Sequence, residues 1–478
     1  MKKKVLGIML LAAGLCFTAQ AASDSWNVDA DGSYTNVANW LGGNVPGISG
    51  GTASADTAAF STALTAGRTV TLPGTYAIGT IQFGNTSTNG YTISGSTFRI
   101  NNGGVIETVA GAGAHNDTIG SAIQLRGMGD TTVTIRNNST DAGLKISGAI
   151  SASTPATAHT FTINLDGTST AGAINGPANG ISGIISDGAQ ALSHVAVVKN
   201  GTGTWSLTGA NTFAGGLTFN AGTLRYNSSG LSTMFGVGAI NVASNGVTFN
   251  HANGTVMTLA NQMNVNANFT LAGAANTTWS GNWDLNGGTR TLTVNADSAI
   301  SGVISNGAFT KAGTKILTLS GANTLDSMTV SAGTLLVEGD SSGSGALTVA
   351  SGATVGGNGT VSDLVLQDGA KFLFDAAATL TANGTSVDLG NLAVASLVGL
   401  DGAAVANGTY TLIDGTAVFD FTSVQNLGLA NAADIGSGKS AYFQSGSLDL
   451  VVIPEPATIG MLGLGALLTI MLRRIRTR

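Results

Sequence analysis

Apolar and small polar residues alternate along most of the chain, in runs such as Thr69-Val70-Thr71-Leu72, Thr131 to Ile135, Thr160 to Leu165, Thr291 to Val294 and Thr409 to Ile413. A period of two places every second side chain on one face of a pleated strand, so each run reads as a β-strand with one buried face. Glycine and Asn-Gly turns separate the runs. No uninterrupted 3.6-residue period of helix length occurs between them. Two apolar stretches near the ends, Val5 to Phe17 and Ala457 to Leu472, are continuous rather than alternating. The pattern predicts an all-β body with an apolar segment at either end.

The body repeats itself. KNGTGTWSLTGANTF (Lys199 to Phe213) matches KAGTKILTLSGANTL (Lys311 to Leu325) at eight of fifteen positions, 112 residues apart. Downstream, Asn220 to Leu224 (NAGTL) matches Ser331 to Leu335 (SAGTL). Upstream, Ile181 to Gly188 (ISGIISDG) matches Ile300 to Gly307 (ISGVISNG), and Ile146 to Ser151 adds a third, shorter copy. Strand-forming units repeated on this scale point to a solenoid or array.

The pattern K-x-G-T, then L-T-L-S-G-A-N-T, then A-G-T-L resembles the autotransporter-associated β-strand repeat of bacterial surface and passenger proteins, over 197–226 and 309–337. The resemblance implies a right-handed parallel β-helix. At roughly 22 residues per coil and about 4.8 Å between coils, 350 residues would make a rod of about 75 Å. Residues 22–60 lack the alternation but contain Trp26, Trp40, Pro46 and Phe60, and are expected to form an N-terminal cap with buried tryptophans. The solenoid is expected over 61–384 and a compact terminal β unit over 385–452.

Composition narrows the function classes. Charged residues make up 9% of the chain and 70 of 478 residues are glycine, so the surface must be built mainly of Thr, Ser, Asn and Gly. Hydrophobic content of 43% with only six prolines argues for folding rather than disorder. Between the two terminal segments, 12 basic residues face 24 acidic ones, a charge near −12 that argues against nucleic acid as a partner. Cys16 is the single cysteine, so a chain processed beyond it has no disulfide and must be held by backbone pairing and burial.

The ends read as processing signals. Lys2, Lys3 and Lys4 precede Val5 to Phe17, and Ala19-Gln20-Ala21 supplies the small residues of a signal-peptidase site, so 1–21 is expected to be a signal peptide. Near the other end, Pro454-Glu455-Pro456 is followed by the uncharged run Ala457 to Leu472 and then by Arg473, Arg474, Arg476 and Arg478. The prolines hold the backbone extended before the apolar run. Sixteen residues as helix reach about 24 Å, a marginal membrane span, and the arginines favour a cytoplasmic end. This tail, 453–478, closely resembles the PEP-CTERM sorting signal of Gram-negative bacteria. The resemblance implies that exosortase, a membrane transpeptidase of exopolysaccharide-producing strains, recognises Pro454, Glu455 and Pro456. It also makes 457–472 the membrane hold and Arg473, Arg474 and Arg476 the stop signal.

Candidate chemistry is sparse. His115, His159, His194 and His251 lack metal-ligand spacing and are expected at the surface or in turns. Asn27 to Gly32 imitates half of a calcium loop, but Ala38 stands where the bidentate Glu should be, so a polar turn is favoured. Trp279 and Trp283 could stack on sugars, though core packing is the commoner fate. Asp363, Asp368, Asp375 and Asp388 are equally well read as solvated loop charge. No nucleophile elbow or phosphate loop is present, and no catalytic residue, cofactor or metal site is assigned. The expectation is an exported structural or adhesive protein of the cell surface or extracellular matrix, with exopolysaccharide as a partner. Alternatives are a β-helix lyase or glycosidase using aligned carboxylates, an autotransporter-like passenger and a calcium-dependent adhesin.

Overall fold

The computed structural model describes residues 22–153, 157–170, 178–188, 193–227, 232–252 and 256–455. The alternating runs are strands, and they stack in parallel into a β-solenoid of about 14 turns. At about 4.8 Å per turn the rod is about 67 Å long, close to the length expected from the repeats. Among the described residues the only helical elements are three single 3₁₀ turns.

Each coil contributes strands to three faces, and residues one coil apart are hydrogen-bonded neighbours. On the first face Ala58, Ile81, Ile106, Ile135 and Leu165 stand one above another. The second face carries Val70, Ile93, Ile119, Ile146, Ile181 and Leu207 in the same way. On the third, Leu259, Trp279, Ile300, Leu319 and Val337 form a column. All of these side chains are buried. The period of two is thus converted into like-on-like stacks, each large member contributing about 1.5–3 kcal/mol through burial. Coil length is uneven: Ile135 pairs with Leu165, 30 residues on, whereas Trp283 pairs with Ile304, 21 residues on. Extra residues leave as loops at the corners, so the columns stay in register.

Outside, the same stacking aligns asparagines. The Asn200 amide donates to Asn164 Oδ1 at 2.7 Å and Asn220 to Asn200 at 2.6 Å. Further along, Asn266 donates to Asn241 and Asn286 to Asn266, both at 2.6 Å. These ladders explain how a surface with so few charges stays ordered: identical amides one coil apart satisfy one another.

Residues 22–60 begin with short strands that already pair in parallel with the next coil, Asp24–Ser25 with Ala58 and Ala59, and Gly32–Ser33 with Val70 and Thr71. Trp26, Tyr34, Trp40 and Phe60 fill the inner space there, with Trp26 and Trp40 edge to face at 5.3 Å. Their polar atoms are met locally: Trp26 Nε1 donates to Val28 O, Trp40 Nε1 to Tyr34 O, and the Tyr34 hydroxyl to Pro46 O. At the far end Leu380–Ala382 pairs in parallel with the strand Gly408–Asp414. That strand then pairs antiparallel with Leu448–Pro454, which pairs antiparallel with Lys439–Gln444. An antiparallel meander therefore closes the last coil.

One expectation is corrected and one is met. His115 and His251 are buried rather than at the surface, His115 in a bend and His251 at the end of a strand, because each hydrogen-bonds to interior groups: His115 to Asp117 and Ser87, His251 to the Thr277 hydroxyl. Trp279 and Trp283 take the core packing favoured for them: they are buried, edge to face at 5.9 Å, with Phe249 and Phe269 against them, and present no face to a sugar.

Candidate functional site

The repeated signature builds a staple across three coils. Lys199 lies in phase with the inward-facing Val195 and Val197, in the column that runs from Leu165 to Phe219, where every neighbour is apolar. Lys311 likewise lies between Leu292 and Val330. Both are buried. The Lys311 ammonium donates to Gly313 O and to Ala332 O one coil on, both at 2.7 Å. Lys199 does the same to Gly201 O and Ala221 O. In each copy the lysine ties the turn of its own K-x-G to the A-G turn of the next coil.

Glycine is required at that second turn. Gly222 and Gly333 have φ of 78° and 68°, in the left-handed region. A Cβ on Gly333 would also collide with the Lys311 ammonium and Gly313 O. Burial pulls both lysines down to about 8, so each is still mostly cationic at neutral pH.

The asparagine of G-A-N completes the staple. Asn211 Oδ1 accepts from the Ile185 N–H at 2.8 Å, and its amide donates to Met234 O at 2.6 Å. Asn323 accepts from the Ile304 N–H at 2.9 Å and donates to Ser341 Oγ at 3.1 Å. Ile185 and Ile304 occupy the same place in the two upstream blocks, so these blocks repeat together with the signature because they are bonded to it. The buried lysine was missed in the sequence. Its signal was phase: in both copies it occupies a position that the alternation assigns to the core.

The other candidate groups are held in structural bonds. Asp29 pairs with Arg68 at 2.7 Å and accepts from Thr65, and that bonding holds its carboxyl at about 2. Asp31 accepts from the Thr69 N–H, so the calcium-like stretch is a polar turn. Asp363 accepts from the N–H groups of Thr385 and Ser386 on the next coil; Asp368, Asp375 and Asp388 each accept from one backbone N–H. Among the described residues no three His, Cys, Asp or Glu side chains are grouped so as to hold a metal ion.

His115 Nε2 lies 3.0 Å from Asp117 Oδ2, Nδ1 lies 2.8 Å from Ser87 O, and Asp117 Oδ1 accepts from the Tyr91 N–H. Burial disfavours the imidazolium, but the hydrogen bond and charge of Asp117 outweigh it and raise the pKa above the usual 6.5. A raised folded-state value means that the stabilisation is fully present below the unfolded-state pKa and is lost as pH rises through the folded-state value. Thermal melts across pH 5 to 9 should therefore show a loss of stability above about pH 6.5 that His115→Asn lacks. Parallel profiles for the two proteins would contradict this.

The sorting motif begins on the last described strand. The strand Leu448–Pro454 stays paired up to its last residue, Pro454 opposite Lys439, and the Glu455 N–H donates to Gly438 O at 2.8 Å. Both Pro454 and Glu455 are exposed. Pro456, the apolar run 457–472, Arg473, Arg474 and Arg476 lie outside the described residues, as do the segment 1–21 and its Ala19 and Ala21. Among the described residues no helix is long and apolar enough to cross a membrane.

Residues 197–225 and 309–337 match the passenger-associated-transport-repeat family, in line with the two repeats read from the sequence. Residues 452–476 match the PEP-CTERM protein-sorting motif. No curated protein and no solved structure matches the chain. Sorting motif and passenger repeats together mark an exported cell-surface protein that is a substrate for exosortase processing.

Proposed function

We propose that this exported surface protein is a structural or adhesive rod rather than an enzyme, delivered to the cell exterior or to an exopolysaccharide matrix. In this reading signal peptidase cuts after Ala21, the segment 457–472 with Arg473, Arg474 and Arg476 holds the precursor in the inner membrane, and exosortase removes that hold at Pro454-Glu455-Pro456. The observation that supports it is the use made of the polar side chains: carboxylates, buried lysines and asparagines join one coil to the next. Such a molecule spends its polar chemistry on lasting order.

Incubation of the purified protein with the producing strain's exopolysaccharide tests the choice. A rod should co-sediment with the polymer and leave its length unchanged. New reducing or unsaturated ends would replace this reading with a glycosidase or lyase.

A further inference from the structure

Residues 22–455 contain twelve lysines and arginines, and eight of them have their charged heads bonded to carbonyl, carboxylate or amide oxygens. Lys145, Arg225, Lys315 and Lys371 have no such partner among the described residues. Two of these four, Lys145 and Arg225, line one groove of about 330 Å³ on the second face of the solenoid. They stand in a single outward column, Thr118, Lys145, Gly180, Ser206, Arg225, each residue paired with the next across one coil. Three coil steps of about 4.8 Å separate the cations by about 14 Å.

Between them the floor is uncharged and hydroxylated. Ser182, Ser206 and Thr208 line it, and their side-chain hydroxyls have no protein partner among the described residues. Gly180 opens it. Its φ is not in the left-handed region, and an added Cβ would come no closer than 3.4 Å to Ser206, an ordinary contact. The backbone therefore does not require glycine there; the missing side chain is what leaves the groove continuous between the two charges.

We propose that this groove binds an extended, carboxylate-bearing polysaccharide, with Lys145 and Arg225 pairing to carboxylates a few sugar units apart and the hydroxyl floor meeting the sugar hydroxyls between them. The proposal rests on the reading of the protein as a matrix or surface rod. A chain rich in hydroxyls suits a floor of hydroxyl groups, and charges only at its two ends suit a ligand charged at intervals. An acidic peptide is disfavoured: extended peptides add to exposed strand edges through main-chain hydrogen bonds, and this groove lies on a face, whose main-chain groups are already paired. The acidic remainder of the rod does not forbid binding, because at physiological salt exposed charges beyond about 8 Å are largely screened.

Calorimetric titration of the full-length protein with oligogalacturonate, neutral dextran oligomers and poly-glutamate tests it. Oligogalacturonate should bind and weaken as salt rises, and the other two should not bind. Lys145→Gln with Arg225→Gln should weaken binding at least tenfold. Gly180→Leu, which fills the groove and leaves both charges in place, should do the same with an unchanged circular-dichroism spectrum. Absence of oligogalacturonate binding, equal binding of poly-glutamate, or affinity untouched in both variants would overturn the proposal. Cleavage of bound oligogalacturonate would instead overturn the non-catalytic reading and leave the site standing.

Discussion

Lys311→Ala should destabilise the coils around it by on the order of 3 kcal/mol, more than is expected from truncating any exposed charge on this protein. The ammonium is the donor to Gly313 O and Ala332 O, and Lys311 lies in a column of apolar side chains. Removing it loses two hydrogen bonds from a charged donor to half-buried carbonyls, at about 1.5–3 kcal/mol each at most, and opens a void where the methylenes packed. Lys311→Met keeps most of that volume and removes a charge that burial disfavours, so it should cost less than alanine. Coils in a solenoid contact only their neighbours, so the loss should stay local. Hydrogen exchange should accelerate for amides near 292–337 and stay at the wild-type rate near Ile81 and Ile106. Wild-type protection throughout the alanine variant would show that the lysine is not a staple.

Changing Pro454, Glu455 and Pro456 to alanine should abolish processing at that end, leaving a precursor that has lost 1–21 but still ends at Arg478 in the membrane fraction, while the native protein is recovered shortened at both ends. The motif supplies an extended backbone with one exposed carboxylate, and alanines would release the φ restraint and remove the charge. The body should be indifferent. Pro454 and Glu455 are exposed, and the last strand is held by the N–H and C=O groups of 448–453, which alanine retains. A precursor with unchanged circular dichroism would therefore report on recognition rather than on folding. Intact-mass measurement reads both ends at once. A mature mass equal to that of the native protein would remove the motif from the account of sorting.

The fold was legible because strand alternation is a local property: the runs at Thr131 to Ile135 and Thr160 to Leu165 show which side chains turn inward before any partner is known. The two copies of the signature added the stacking. Residues 24–33 hid their strands, because each is only two residues long and too short to display a period. What the sequence could not convey was partnership across corners. The phase of Lys199 points it inward, but nothing in the sequence shows what meets its ammonium there until Ala221 O, 22 residues later, is brought beside it. His115 and Asp117 are separated by one residue, but burial depends on Ser87 and Tyr91 from the preceding coil. Trp279 and Trp283 flank a turn in sequence, yet the rings point inward toward Phe249 and Phe269. The groove at Lys145 and Arg225 has no sequence signature, since its column is assembled from residues 80 positions apart.

Parallel stacking gives the rod an uncommon response to force. Its strands run across the axis, so the hydrogen bonds joining coils point along it, and tension between the two ends loads them directly, one coil at a time. Each coil of 21 residues that lets go, such as the one from Trp283 to Ile304, releases up to about 70 Å of chain where it had spanned about 4.8 Å. A pulled molecule would lengthen stepwise and rewind when slack returns, yielding under load as a tether with give rather than snapping as a stiff pin.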